Sequence, residues 1–331
     1  TGFELTRARK LAGLAADEAE AMGGTAGQAI RLRATDGYLR GLKDRALLAE
    51  LEARIISSVA EIANAERLKR QGLVLGSDHQ AALAILSGLK AWRARAAAEK
   101  AAHDVELSVL TGGPAPEPSG SLRDWTPPLE DDPALVAGAL SSRRDLRSAD
   151  LRKQAAGVRR EGASQSLLPV VDAFAAMQTA ADGFNSGAAS RLVGVRASIP
   201  FGDPAYTSRR AQAKAAEEAA ALSREGLEDM VRGEVLSRAA GLRGTAAVLP
   251  ELTESLARAR QSLEQAQPLY REGRQSVMEV LRAEEAVARL EEMRLETLYQ
   301  LRSQWASLRA AQGRLDDEAV AVLSRSLEEV K

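Results

Sequence analysis

Residues 270–281, YREGRQSVMEVL, interrupt about a hundred residues whose pattern is otherwise helical. A glycine inside a helix costs about 1 kcal/mol relative to alanine, so Gly273 favours a break at this point. The helical pattern then restarts, because Val277, Val280 and Leu281 stand at positions i, i+3 and i+4, which lie on one face of a helix. The stretch therefore predicts a tight turn between two long antiparallel helices, with Ser276 as the N-cap of the second one.

The same turn occurs a second time in the chain. Residues 68–78, LKRQGLVLGSD, correspond to residues 269–279, LYREGRQSVME, and Gly72 and Gly273 are 201 positions apart. Gly112 and Gly313, which close the returning helices, keep the same separation. A repeat of this length indicates a duplicated supersecondary unit rather than a short solenoid module.

A proline-rich segment divides the two copies of the repeat. Six of the eleven prolines lie in residues 113–133, GPAPEPSGSLRDWTPPLEDDP, and proline holds a backbone extended. We therefore expect a first repeat over 1–112, with a helical hairpin whose tip is near 72–78, a linker over 113–132, and a second repeat over 133–331. The second repeat is expected to contain a helix over 132–165, a β-hairpin over 167–201 and a helical hairpin with its tip near 273–276.

The β-hairpin prediction rests on period-two alternation. Val193, Val195, Ala197 and Ile199 share one side of the second strand, and a cluster of Asp, Asn, Ser and Gly precedes it as a loop. Two explanations fit this pattern. The hairpin could pack on soluble helices, or it could cross a membrane, since spanning strands of about 9–11 residues alternate lipid-facing and lumen-facing positions.

The composition excludes several classes of function. The chain has no cysteine and only His79 and His103 as histidines, so no metal site, cofactor or catalytic residue is expected. Its net charge of −1 does not favour nucleic acid as a partner. No run of 18 apolar residues is present, and neither a phosphate-binding loop nor a nucleophile elbow occurs. An enzyme is therefore not expected.

The order of these features resembles the TolC-like outer membrane efflux proteins. The resemblance rests on RRDLRSADLRKQA before the strands, LLPVV at the start of the hairpin, VRASIPFGDPAYTSRRAQAKAAEEAA from strand to helix, and the two glycine-containing turns. It implies a mainly α fold with a β-hairpin, in which long antiparallel helical hairpins form a trimeric α-barrel. It also implies that the strands contribute to a trimeric transmembrane β-barrel.

The resemblance further implies a function and a location. The chain would be the outer membrane exit duct of a tripartite efflux or secretion system in a Gram-negative bacterium, with its helical part in the periplasm. Its partners would be two further copies of itself, a periplasmic adaptor, an inner-membrane pump and outer membrane lipid. The alternative that the sequence leaves open is a soluble periplasmic helical adaptor or scaffold.

The site residues follow from the family's motif. The two turns would be the tips at which the adaptor docks: Gly72, Leu73 and Val74 in the first, Gly273 in the second. The pore constriction would be built from side chains next to these turns: Asp78, Tyr270, Arg274, Gln275, Glu279 and Arg282. Gln275 stands where the family has an arginine, and Arg282 reverses the expected acidic sign, so both change the charge of the constriction.

The sequence also departs from the family at its first residues. By the repeat offset, Thr1 to Phe3 lie just past the end of a strand pair that this chain does not show. Either the preceding strands are missing from this sequence, or the barrel is reduced. Degenerate strands near residues 29–37, AIRLRATDG, are a further possibility that the sequence leaves open.

Overall fold

The structure is a computed structural model that describes residues 2–71, 76–179, 189–198, 204–272 and 274–328. Seven helices and two strands lie in these ranges: α1 (Gly2–Arg70), α2 (Gly76–Thr111), α3 (Asp132–Ser142), α4 (Arg144–Ser164), β1 (Val170–Thr179), β2 (Ala189–Ser198), α5 (Tyr206–Arg271), α6 (Val277–Ala311) and α7 (Asp317–Leu327). The prediction of a mainly α fold with one β-hairpin is confirmed. No described helix holds an apolar run long enough to cross a membrane.

The repeat has a structural counterpart at the ends of the returning helices. Gly112 and Gly313 both adopt a φ of 71°, which side chains of L-residues rarely tolerate. The amide of Gly112 donates to Ser108 O at 3.0 Å, and the amide of Arg314 donates to Arg309 O at 2.8 Å. Both helices thus end on a left-handed glycine, as the duplicated spacing indicated.

The chain divides into two compact units, and each unit draws on both halves of the sequence. The first comprises residues 1–25 and 143–230. Its core lies on α4, where Leu146, Leu151 and Val158 are buried. Polar contacts hold the neighbouring helices to α4: Arg152 pairs with Glu18 at 2.6 Å, Arg224 with Asp150 at 3.0 Å and Arg160 with Glu217 at 3.1 Å.

The second unit comprises residues 26–142 and 231–331. At one end Leu39, Leu42, Tyr299 and Leu327 form an apolar cluster between α1, α6 and α7. The expected linker packs against this unit rather than standing free. Trp125 meets Trp305 edge to face at 5.7 Å, and the Trp305 indole donates to Pro128 O at 3.0 Å.

Two local expectations differ from the structure. The helix predicted over 132–165 is two helices, because Arg143 adopts an extended conformation (φ −70°, ψ 124°) that ends α3 and starts α4. Residues 29–37 are helical and belong to α1, so degenerate strands there are ruled out. α5 continues through Pro250 and Pro268.

The two strands pair antiparallel over their whole length, with Val171 opposite Ala197, Ala173 opposite Val195 and Ala175 opposite Val193. Side chains of directly opposed residues lie on the same face of a sheet. One face is therefore apolar over most of its length, and its valines are solvent-exposed, Val193 by 81% and Val195 by 73%. The other face carries Asp172 opposite Arg196, as the alternation predicted.

Candidate functional site

The described part of the second hairpin turn joins α5 to α6. The amide of Arg274 donates to Leu269 O at 2.8 Å, five residues back, which closes the end of α5. Ser276 is the N-cap of α6, because its hydroxyl accepts a hydrogen bond from the Met278 amide at 3.0 Å. The N-cap predicted from the sequence is confirmed. The expected docking residues Gly72, Leu73, Val74 and Gly273 lie outside the described residues.

Tyr270 and Asp78 come together beside this turn. Tyr270 is 6% exposed and belongs to an apolar cluster with Ala82, Ala266, Val277, Val280 and Leu281. Burial raises the pKa of the Tyr270 phenol, and the nearby Glu61 and Asp78 carboxylates raise it further. Its hydroxyl has no hydrogen-bond partner within the described part of the chain. A buried hydroxyl without a partner is unfavourable, so an acceptor supplied from elsewhere would stabilise it.

The other expected constriction residues lie on or next to the turn. Arg274 is exposed and pairs with Glu272 at 3.3 Å. The Gln275 side-chain oxygen is buried and has no partner among the described residues. Glu279 and Arg282 are exposed on α6, three residues apart, and therefore on neighbouring positions of one helix face.

Asp78 lies in the first turn of α2, which begins at Gly76. Ser77 and Asp78 are therefore both inside the helix rather than at its N-cap. A carboxylate in a first helical turn still interacts favourably with the helix dipole. Ser77 Oγ contacts Asp78 Oδ1 at 3.4 Å, which keeps the carboxylate beside the turn.

A second set of ionisable residues, which the sequence reasoning did not select, lies further along the same helices. We call it the seam cluster: Glu50, Arg54 and Glu61 on α1, Arg260 on α5, and Glu284 and Glu291 on α6. Arg54 donates to Glu50 at 2.6 Å and also to Glu291, and Arg260 donates to Glu291 at 2.6 Å. Glu61 and Gln267 lie close enough to Glu284 to affect its titration. The clue in the sequence was Glu284, the polar residue in the apolar repeat of α6.

The surroundings of the seam cluster shift the pKa values of three of its carboxyl groups. Burial, followed by the contact with Glu61, raises the pKa of Glu284 to about 8. Burial also raises the pKa of Glu50 to about 7, with a contribution from Glu291. Burial acts in the same direction on Glu291, but hydrogen bonds with Glu50 and Arg260 hold its pKa below the ordinary value.

The seam cluster borders a cavity of about 530 Å³ between α1, α2, α5 and α6. Its apolar wall includes Ile85, Leu89 and Trp92 of α2, and its polar wall includes Glu284 and Glu291 of α6. Among the described residues, no group of three or more acidic, histidine or cysteine side chains could hold a metal ion.

Solved structures of bacterial outer membrane channels have a similar fold. The chain superposes on the open state of MtrE from Neisseria gonorrhoeae with a TM-score of 0.80 and 18% identity, over 95% of this chain and 73% of that one. For CmeC from Campylobacter jejuni the TM-score is 0.80 at 14% identity, over 97% and 71% of the two chains. For VceC from Vibrio cholerae it is 0.80 at 19% identity, over 93% and 75%. At these identities the likeness shows the fold.

Sequence comparison supplies the family. By sequence, no curated protein matches the chain significantly. The family model of the outer membrane efflux proteins, however, matches residues 135–314, which is more than half of the chain. This match favours the duct over the soluble scaffold, and the family consists of efflux channels rather than enzymes. The chain belongs to the outer membrane efflux protein family and has the role of an exit duct.

Proposed function

We propose that this protein is the outer membrane component of a tripartite efflux or secretion system of a Gram-negative bacterium. It is a passive conduit, and the transport energy comes from an inner-membrane pump that a periplasmic adaptor couples to it. The observation that carries this proposal is the β1–β2 hairpin, whose exposed apolar face needs a partner other than water.

The apolar face supports insertion in lipid. Val171, Ala173 and Ala175 of β1 lie opposite Ala197, Val195 and Val193 of β2, and all of them are exposed in the chain. Exposed contiguous apolar surface marks a membrane or protein contact. Two strands of ten residues each also match the length that a tilted transmembrane strand requires, about 9–11 residues.

The strand edges support sharing a barrel between copies. In the described residues the sheet has two strands, so no third strand extends it at either edge. An open strand edge in lipid leaves backbone groups without hydrogen bonds, each at a cost of several kcal/mol. Three copies around one axis would pair these edges in a closed barrel, which supports a homotrimer.

The helical hairpins would then extend into the periplasm, with their turns near 72–78 and 273–276 facing the adaptor. We assign Gly72, Leu73, Val74 and Gly273 to that contact. Asp78, Tyr270, Arg274, Gln275, Glu279 and Arg282 would line the constriction. The Tyr270 hydroxyl, which has no hydrogen-bond partner among the described residues, supports this assignment, since an acceptor from a second copy could receive its hydrogen bond.

The test compares two adjacent positions of β2. Val193→Lys places a charge on the apolar face, and Leu192→Lys places the same charge on the opposite face. Both side chains are exposed, by 81% and 60%. A cation on the lipid face costs about 2–4 kcal/mol near the bilayer midplane, whereas the lumen face tolerates it.

We expect Val193→Lys to reduce the amount of detergent-extracted trimer in outer membrane fractions at least several-fold, and Leu192→Lys to leave it close to wild type. Native gels and light scattering of the extracted protein measure the trimer. Equal recovery of both variants, or a soluble monomer for the full-length wild type, would contradict the proposal.

A further inference from the structure

The cavity of about 530 Å³ has the size of a small-molecule site, since such sites enclose about 300–1,000 Å³. It lies inside one compact unit of a single chain, because the residues of α1, α2, α5 and α6 that enclose it all belong to the second unit. Its α2 wall consists of residues at positions i, i+3, i+4 and i+7 of one helix face: Ile85, Gly88, Leu89 and Trp92. This wall is apolar and includes one aromatic ring.

Trp92 is the aromatic residue of this wall. Its side chain is half-buried, and no cation of the described residues stacks on its ring. The other two tryptophans each have such a partner, since Arg302 lies 5.4 Å from the ring of Trp125 and Arg309 lies 5.2 Å from the ring of Trp305. The face of an indole ring attracts cations. The Trp92 ring is therefore available to a cation from outside the chain.

The α6 wall of the cavity is acidic and contains Glu284, Glu285 and Glu291. Two of these carboxylates have cationic partners in the chain, because Glu285 pairs with Arg289 at 3.6 Å and Glu291 pairs with Arg54. Glu284 forms no ion pair with any residue that the structure describes. The cavity therefore has one carboxyl group whose negative charge the chain does not balance with an ion pair.

We propose that this cavity binds a bulky organic cation of single charge, with its apolar groups against the α2 wall and its charge held by Glu284 and the Trp92 ring. Burial of a charge is unfavourable unless an opposite charge compensates it, and Glu284 supplies that charge. Aromatic rings recognise quaternary ammonium groups in the same way. An anion would meet the Glu284 carboxylate, so the sign of the charge selects the ligand. Because the site lies within one chain, the proposal does not depend on the role of the protein as a duct.

Tetraphenylphosphonium and tetraphenylborate test the proposal, because the two ions have nearly the same size and shape and opposite charges. Isothermal titration calorimetry on the full-length protein in detergent measures the binding of each ion, with the same detergent solution as the blank. Burial, followed by the neighbouring Glu61, raises the pKa of Glu284 to about 8, so a titration at about pH 8.5 finds most of this carboxyl group ionised. We expect tetraphenylphosphonium to bind at one site per chain, and tetraphenylborate to bind at least about tenfold more weakly.

Glu284→Gln keeps the size of the side chain and removes its charge, so it should weaken the binding of tetraphenylphosphonium at least about tenfold. Glu285→Gln is the matched control. Glu285 is the next residue in the same wall, but it is 72% exposed and already paired with Arg289. This variant should keep the wild-type affinity.

Gly88→Leu tests the cavity itself. A Cβ added to Gly88 would meet no atom within 4 Å, so a leucine side chain at this position enters open space. Leucine is also a better helix former than glycine, so the variant should fold, which helical circular dichroism checks. We expect Gly88→Leu to abolish the binding of tetraphenylphosphonium, because it fills the space that the ion needs.

Two results on the wild type would overturn the proposal: no binding of tetraphenylphosphonium, or equal affinities for the two ions. Undiminished binding to Gly88→Leu would show that the ion binds outside the cavity. Undiminished binding to Glu284→Gln would show that another group recognises the charge. Either of these results would overturn the assignment of the site.

Discussion

Arg302 is fully buried, and it joins three parts of the second unit. Its guanidinium donates to Leu298 O at 3.1 Å, to Arg123 O at 3.0 Å and to Ser326 O at 2.9 Å, and its Nε donates to the Ser326 hydroxyl at 3.0 Å. The ring of Trp125 lies 5.4 Å from it. Burial lowers the pKa of Arg302 to about 10, with Asp124 acting in the opposite direction. This residue fastens the proline-rich segment and α7 to α6.

Replacing Arg302 should weaken the packing of the proline-rich segment and of α7 against α6. Arg302→Met fills most of the space but removes the side-chain donors to the Arg123 and Ser326 carbonyl groups, at a cost of about 2 kcal/mol or more. Thermal unfolding followed by helical circular dichroism measures this loss. Arg294→Met is the control, because Arg294 also reaches the segment, through an exposed pair with Asp124 at 2.8 Å, and such pairs contribute about 1 kcal/mol or less. Equal melting temperatures for the two variants would show that Arg302 does not fasten the segment.

At the scale of the elements, the β-hairpin depends on one glycine. Phe174 lies opposite Gly194 on the polar face, and its ring covers the space where a side chain at residue 194 would stand. A Cβ added to Gly194 would lie 2.7 Å from the Phe174 ring, which is too close for any carbon contact. The Arg196 guanidinium stacks over the same ring at 5.4 Å.

Gly194→Val should therefore displace Phe174 and weaken the strand pairing. We expect at least a several-fold loss of assembled trimer from outer membrane fractions, because the pair must form before it can join other strands. Ala175→Val adds similar volume on the apolar face, opposite Val193, and should assemble as wild type does. If both variants assembled normally, the Phe174–Gly194 contact would be dispensable.

The sequence predicted these elements well where a local pattern decides them. The strands follow from period-two alternation, and the ends of α2 and α6 follow from glycines that must adopt positive φ. The extent of α5 could not be predicted in the same way. Pro250 and Pro268 each remove a helical donor, yet the helix continues because Leu249, Leu252 and Leu256 are buried against the rest of the second unit. Tertiary packing overrides local preference there.

At the scale of the whole molecule, the two candidate sites differ in how far the sequence could predict them. The sequence singled out the turn residues because the turn is duplicated, and of these predictions the cap of α6 by Ser276 is confirmed. The seam cluster was not found, because Glu50 and Glu61 on α1 are far in sequence from Glu284 and Glu291 on α6, and the two sets become neighbours only when α1 packs on α6. Long-range carboxyl pairing has no local sequence pattern.

Threefold symmetry makes a further prediction about the constriction. Glu279 is exposed in the first turn of α6, and three copies around one axis would form an acidic ring beside the turn. Arg282 lies three residues further along the same face with the opposite charge. We expect Glu279→Gln to reduce the preference of the channel for cations, and Arg282→Gln to increase it, since each change alters the local charge by three units per trimer.

Reversal potentials in planar bilayers under a KCl gradient measure these preferences. Glu285→Gln removes the same charge from a position that is 72% exposed and paired with Arg289, so its reversal potential should match that of the wild type. High salt should diminish the effects of both test variants, because exposed charges are screened within about 10 Å at 0.1 M ionic strength. If Glu279→Gln and Glu285→Gln shifted the reversal potential equally, the ion preference would not depend on where the charge lies, and Glu279 would not belong to the constriction.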